Sequence, residues 1–302
     1  MINRFSAWQS SPFQIVVIFT ILFWLFTIGK KYYNDLKHPT TKVGIITIKG
    51  AIVDSSLYAQ QYKELLEEKD IAAILLKIDS PGGLAGASQA LFQEIYEQKK
   101  LHNKPIVAWI QNLGASGGYY VAAAADYIIA TPTAFVGSIG VYTMYPQFNK
   151  LIEQLHVSYV AVHSGKFKTA GNPIIQTTPE QISMLQGLID DTYETFVADV
   201  IRARPQLETS SHTIWADGKI FTGNQALSLG LIDAVGSQIV TEQVIKARAH
   251  ITTDIQWVHV KRSYSWLRML LGEEADESGN YIAAALQSAY ANLFSEIPIG
   301  HV

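Results

Sequence analysis

The chain has no cysteine in its 302 residues. That excludes disulfides, thiolate metal sites and a cysteine nucleophile. Charge is scarce as well. Asp, Glu, Lys and Arg make up 16% of the sequence, with 23 basic against 26 acidic side chains and a formal net charge of −3. No basic block stands out of this balance, so nothing supports a nucleic-acid partner. Internal repeats and low-complexity tracts are also missing. What is abundant is apolar surface. Hydrophobic residues are 48% of the chain, which suits a globular protein with a sizeable core plus a membrane segment.

The membrane segment is the uncharged run from Phe13 to Ile28, FQIVVIFTILFWLFTI. It lies at the short end of the roughly 17–25 residues a spanning helix needs, and Pro12 and Gly29 can extend it. Trp8, Trp24, Tyr32 and Tyr33 are placed to sit near the two interfaces. A cleaved signal peptide would need small residues after the apolar run. Here the run ends in Gly29-Lys30-Lys31-Tyr32-Tyr33, so the expectation is an uncleaved anchor over residues 1–33. Lys30, Lys31, Lys37 and Lys42 follow it, against Asp35 and only Arg4 before it. Counted naively, that bias puts the main domain in the cytoplasm.

Residues 34–42 are polar, contain Pro39 and read as a linker. Strands and helices then alternate. Strands are expected at 43–48, 71–78, 106–110 and 127–130, and helices at 58–69, 84–100 and 117–125. Near-continuous apolar runs such as IAAILLKI at 71–78 fit strands buried on both faces of a parallel sheet. The pattern predicts stacked βαβ units in one α/β domain over 43–250. Thr178, Pro179 and Gln181 predict a capped helix over 178–203. Its apolar face would hold Ile182, Leu185, Ile189, Phe196 and Val200. A short helix is expected at 221–229. Residues 251–302 read as a C-terminal extension with a final helix at 281–294, available for contacts with a second subunit.

Chemistry gathers in loops that follow buried strands, because in parallel sheets such loops meet at one edge. Ser116 lies in Gly114-Ala115-Ser116-Gly117-Gly118 and opens a small-residue helix, where a hydroxyl can be presented to a carbonyl. The same pattern also marks the nucleophile elbow of α/β-hydrolases, and Ser116 could equally serve as a helix cap. Asp79-Ser80-Pro81-Gly82-Gly83 frees backbone N–H groups that can line an oxyanion hole. Val136-Gly137-Ser138-Ile139-Gly140 offers Ser138, a hydroxyl able to orient an amine. Lys166 and Lys168 stand two apart in Ser164–Pro173, on one side of the segment if it is extended. A lysine can serve as the base for a serine when burial or neighbouring positive charge lowers its pKa from about 10.4.

SPGG at 80–83, GASGGYYVAAAAD at 114–126, VGSIGVY at 136–142, GKFKTAGNP at 165–173 and FTGNQALSLGLIDAVG at 221–236 occur in this order. Together they resemble the signal peptide peptidase A family of serine proteases, the S49 peptidases, over roughly residues 43–245. The resemblance implies a Clp protease/crotonase-like spiral of ββα units behind one N-terminal transmembrane helix. It implies a Ser–Lys dyad without histidine: Ser116 as nucleophile, Lys168 as general base, Gly83 and Gly117 as oxyanion donors, and Ser138 orienting the lysine. It implies no metal and no cofactor. Half-length members form homo-oligomers in which serine and lysine come from neighbouring subunits, and family domains face outward, to the periplasm in Gram-negative bacteria. Substrates would be small or extended peptides near the membrane, such as remnant signal peptides. Asp79 departs from the asparagine common in the family and adds a charge near the oxyanion loop.

Three other readings stay open at this level. An α/β-hydrolase esterase would need one of His163, His212, His250 or His259 beside Ser116. A crotonase-like acyl-CoA enzyme would use the oxyanion loop and not Ser116. A membrane-tethered scaffold would keep the site without activity.

Overall fold

The computed structural model describes residues 12–37 and 39–260. Helix α1, Pro12–Lys37, opens the chain. Its described apolar side chains, including Phe19, Phe23, Trp24 and Phe26, are exposed. Among the described residues no helix is long and apolar enough to cross a membrane. The helix runs four residues beyond Tyr33, and the first strand begins at Thr40. The expected linker over 34–42 is therefore taken up largely by regular structure.

The domain alternates as the apolar runs predict. Strands β1 (Thr40–Lys49), β2 (Ile71–Ser80), β3 (Ile106–Ala115) and β4 (Tyr127–Ala130) are separated by α2 (Ser56–Glu67), α3 (Ala85–Lys99) and α4 (Gly117–Ala123). Short strands β5 (Phe135–Gly137), β6 (Ile220–Thr222) and β7 (Ala234–Val235) and strand β8 (Asp254–His259) complete one sheet. Its order is β6-β5-β3-β2-β1-β8, with β4 beside β3 and β7 beside β4. Every pairing is parallel except β5 with β6. β3 divides its partners: Val107–Ile110 pair with β4, and Leu113–Ala115 with β5. Both β2 and β3 extend past their apolar runs, to Ser80 and Ala115, and Ser80 pairs with Gly114. This register sets the two glycine loops side by side.

The larger core lies under one sheet face, where Ile46, Ile74, Leu76 and Ile110 meet Tyr62, Phe92 and Tyr119 from the helices. Every residue of α4 is buried; its glycines and alanines let it sit directly on the sheet. A smaller cluster on the other face joins Val43, Leu75, Val107 and Trp109 to Ile245 of α9 (Gln238–Arg248). β8 pairs with β1 along Thr40–Ile45, so the sheet continues past the expected boundary at 250. The helix expected at 281–294 lies outside the described residues.

Helix α6 (Pro179–Ala203) carries the predicted capping box, with Thr178 and Gln181 exchanging hydrogen bonds. Only its second half packs as predicted. Phe196 and Val200 are buried, whereas Leu185 and Ile189 are half-buried and Ile182 is 54% exposed. The helix expected at 221–229 is α8 (Gly223–Ser228). It starts late because Ile220–Thr222 first pair antiparallel with β5, and Thr222 then caps the helix.

Two buried tyrosines make the core sensitive to alkali. The Tyr119 hydroxyl donates to the Leu231 carbonyl at 2.7 Å, and that of Tyr62 to the Ile95 carbonyl at 3.3 Å. Burial is the main reason both phenols are held neutral above their ordinary range. A raised native pKa stabilises the fold fully below the unfolded value of about 10, and that contribution is lost as pH climbs past it. The melting temperature should therefore hold steady between about pH 7 and 9 and fall above about pH 10. Circular dichroism melts across that range check this.

Candidate active site

β3 ends at Ala115, and the chain turns at once into α4. The turning residue, Ser116, has φ 51° and ψ −122°, a conformation that costs a non-glycine residue energy and persists only where neighbours enforce it. Here the Ser116 N–H donates to the Gly137 carbonyl of β5 at 2.7 Å. The Ser116 side chain makes no capping hydrogen bond, so its hydroxyl is not spent on starting the helix.

The neighbouring loop is fitted against this turn. Gly82 has φ +92°, and a Cβ there would lie 2.5 Å from the Gly117 nitrogen. A Cβ on Gly118 would lie 2.6 Å from the Ser80 carbonyl oxygen. Ser80 ties the loop down: its hydroxyl donates to the Gly50 carbonyl at 2.6 Å and accepts the Gly82 N–H at 3.1 Å. Gly83 bridges to Ile52. That bridge uses the N–H groups of Ile52 and Leu84 and leaves the Gly83 N–H without a backbone acceptor. The Gly117 N–H is at the first position of α4 and has no acceptor within the helix. Two free donors thus flank Ser116. The Asp79 carboxylate accepts a hydrogen bond from the Asn112 amide at 3.1 Å and does not line the cleft.

Ser116, Gly83 and Gly117 line one cleft of about 420 Å³. Leu84 and Ser88 from the start of α3, Tyr120 from α4, and Thr192, Thr195 and Phe196 from α6 form its walls. The Tyr120 ring stacks on Phe196 at 4.1 Å between centroids, and its hydroxyl donates to Asp199 at 2.5 Å. Burial first, and then the Asp199 carboxylate, keep this phenol neutral. Arg202 pairs with the other Asp199 oxygen at 3.0 Å. The α6 wall was not visible in the sequence. Nothing in the spacing of Thr192 and Thr195 distinguishes a cleft wall from a solvent-facing turn.

The remaining expected residues lie elsewhere. Ser138 follows Gly137 and has the same unusual φ of 51°. Its N–H donates to the Lys219 carbonyl at 2.7 Å, and it is half-buried outside the cleft lining. Lys168 is exposed and does not line the cleft either. Its segment is not extended. Lys168, Ala170 and Asn172 donate back to Gly165, Phe167 and Thr169 through successive turns, so the alternation expected for Lys166 and Lys168 does not apply. Gln181, buried at the start of α6, holds this loop through the Lys166 carbonyl and the Thr169 hydroxyl. None of His163, His212, His250 and His259 lines the cleft. Among the described residues no three His, Asp or Glu side chains are grouped to hold a metal ion.

The sequence profile of Peptidase family S49 matches residues 98–252. A Synechocystis sp. protein provisionally named a protease is 38% identical over 199 residues, 65% of this chain and 70% of that one. An Enterococcus faecium protein provisionally named signal peptide peptidase SppA is 33% identical over 231 residues, covering 69% of this chain and 67% of its own length. Among solved structures, the 1510-N membrane-bound stomatin-specific protease, in a mutant form, overlays with a TM-score of 0.49 at 18% identity, over 74% of this chain and 99% of that one.

Proposed function

The chain belongs to peptidase family S49, and from that premise we propose that it is a membrane-anchored serine endopeptidase with a Ser116–Lys168 dyad shared between subunits. The observation that carries this reading is the strained Ser116, its hydroxyl unspent, between the free N–H groups of Gly83 and Gly117 in one cleft.

Chemically, Lys168 of a neighbouring copy, as the neutral amine, takes the Ser116 proton. Oγ attacks the peptide carbonyl, and the oxygen that becomes negative rests on Gly83 and Gly117. Lys168 returns the proton to the leaving amine, and the C–N bond breaks. A water, deprotonated by the same lysine, then attacks the acyl-enzyme; the ester bond to Ser116 Oγ breaks, the acid leaves, and the lysine returns its proton to Oγ. Ser138 orients the lysine. That Lys168 does not line the cleft of its own chain supports a lysine supplied by another copy. Exposed apolar side chains between Ser138 and Lys168 support an oligomer: Tyr142 is 79% exposed, Met144 85%, Val160 90% and Val162 95%. Surface of this kind marks protein contacts.

The finer assignments belong to the same proposal. The succession β1–α2–β2–α3–β3–α4–β4 with parallel pairing supports a Clp protease/crotonase-like spiral. The uncharged run from Phe13 to Ile28 and the exposed apolar side chains of α1 support a single-pass anchor, and the likeness to the S49 peptidases supports a bacterial inner membrane with the catalytic domain on the periplasmic side. Substrates are then extended peptides near the bilayer, remnant signal peptides among them.

Peptide hydrolysis by the detergent-solubilised chain tests the dyad. Lys168→Ala should remove activity, while alanine at His163, His212, His250 or His259 should leave it within about twofold. Activity that survives Lys168→Ala and dies with one histidine overturns the proposal.

A further inference from the structure

Four buried side-chain polar atoms among the described residues have no hydrogen-bond partner in the chain: Ser88 Oγ, Trp109 Nε1, Arg204 Nε and Trp215 Nε1. Buried polar groups are rarely left so, and each exception calls for a reason. Ser88 is the one that lines the Ser116 cleft. It lies in the first turn of α3 and is 1% exposed. Its N–H is used by the helix, donating to Leu84 at 3.0 Å, so only the hydroxyl is idle. That hydroxyl lies 2.1 Å from where a Cβ on Gly117 would be. It therefore stands against the residue that follows the nucleophile and supplies an oxyanion donor.

We infer that Ser88 is a specificity-determining residue, whose hydroxyl hydrogen-bonds a small polar side chain on the substrate residue that contributes the attacked carbonyl. The inference rests on the peptidase reading above. A carbonyl carbon within reach of Ser116, with its oxygen on Gly83 and Gly117, places its own Cα and side chain beside Gly117. Tyr120, Phe196 and Ser88 close the cleft there. Tyr120 and Phe196 stack on each other, and the Tyr120 hydroxyl is engaged with Asp199. Ser88 therefore supplies the idle polar contact at this end. The hydroxyl itself is buried against Gly117, so it reaches the substrate by turning to another of the three staggered positions of a serine side chain, and Gly117 adds no side chain to block that turn. Threonine and valine have nearly the same shape and differ in one hydroxyl. A site with an idle hydroxyl should prefer threonine, because valine leaves Ser88 unpaired and threonine satisfies it.

The test compares two peptides that differ only in Thr or Val at that residue. With the full-length chain in detergent, kcat/KM for the Thr peptide should exceed that for the Val peptide by about tenfold. In Ser88→Ala the ratio should fall to about one. Ser88→Cys leaves no gap, replaces the hydroxyl with a weaker donor on a somewhat larger atom, and should also lose most of the preference, which covers the case where the alanine variant folds poorly. The ratio is read a second time as affinity of the Ser116→Ala protein for the two intact peptides, which needs no catalysis. Equal wild-type handling of both peptides in hydrolysis and binding overturns the assignment, as does a Thr preference that Ser88→Ala and Ser88→Cys leave intact. Absence of hydrolysis combined with a Thr preference in binding would sink the peptidase reading and keep the role of Ser88.

Discussion

Ser116→Ala is expected to lower kcat by about 10⁴-fold or more, and Lys168→Ala by a similar factor, because residues of one catalytic unit fail together. Mixing the two inactive proteins should restore activity. Each copy in a mixed oligomer lacks one partner of the dyad, yet an interface that joins a wild-type Ser116 cleft to a wild-type Lys168 loop is complete. The structure motivates this design. Ser116, Gly83 and Gly117 converge within one chain, while Lys168 sits on a turn-rich loop away from that cleft. In a randomly mixed ring about a quarter of the interfaces would carry both intact residues. Recovery should need co-expression or dissociation and reassembly, and melting temperatures of both variants should match wild type. A mixture that stays inactive despite verified co-assembly would place serine and lysine on the same chain. Full activity in Ser116→Ala alone would remove the nucleophile.

Much of this arrangement could be read from the residues. Buried parallel strands announce themselves as continuous apolar runs, and IAAILLKI and IVAWI became β2 and β3. The Thr178–Gln181 box was legible because capping is local chemistry between residues three apart. The Ser116 turn was legible for the same reason: small residues on both sides permit a sharp exit from a strand. What could not be read depends on distance in sequence. The two extensions, Asp79–Ser80 and Gln111–Ala115, break the apolar pattern and hide the true ends of β2 and β3. Their pairing, Ser80 with Gly114, is what brings the oxyanion loop to the nucleophile. β8 joins β1 across more than two hundred residues, and no local pattern in DIQWVH shows it. The half-exposed face of α6 looked like core because period alone cannot say what a face packs against. Ser88 was missed because a single serine in a helical turn looks like any other, and only its burial without a partner sets it apart.

Gly83→Ala should lower kcat by about 10²–10³-fold, the usual loss when one oxyanion donor is displaced. The reason is steric and specific. A Cβ on Gly83 would lie 2.2 Å from the Ile52 carbonyl oxygen and 2.6 Å from the Ile52 carbonyl carbon and nitrogen. All three are backbone atoms, so no side chain can rotate away, and the bridge between Ile52 and Gly83 must open. Its opening releases the bonds from Ile52 to Gly82 and from Leu84 to Ile52, and the Gly83 N–H swings out of register with Ser116. The sheet core lies beneath this loop and should hold, so the loss should fall on kcat with a modest drop in melting temperature. Gly86 is the internal control, since it lines the same cleft but a methyl group added there would meet nothing within 4 Å. Gly86→Ala should raise stability by roughly 0.5–1 kcal/mol through its helical position. If Gly83→Ala kept wild-type kcat, the oxyanion would have to be held by Gly117 with some donor other than Gly83. Side-by-side steady-state kinetics and thermal melts of the two variants decide this, since the same substitution three residues apart meets backbone in one case and open space in the other.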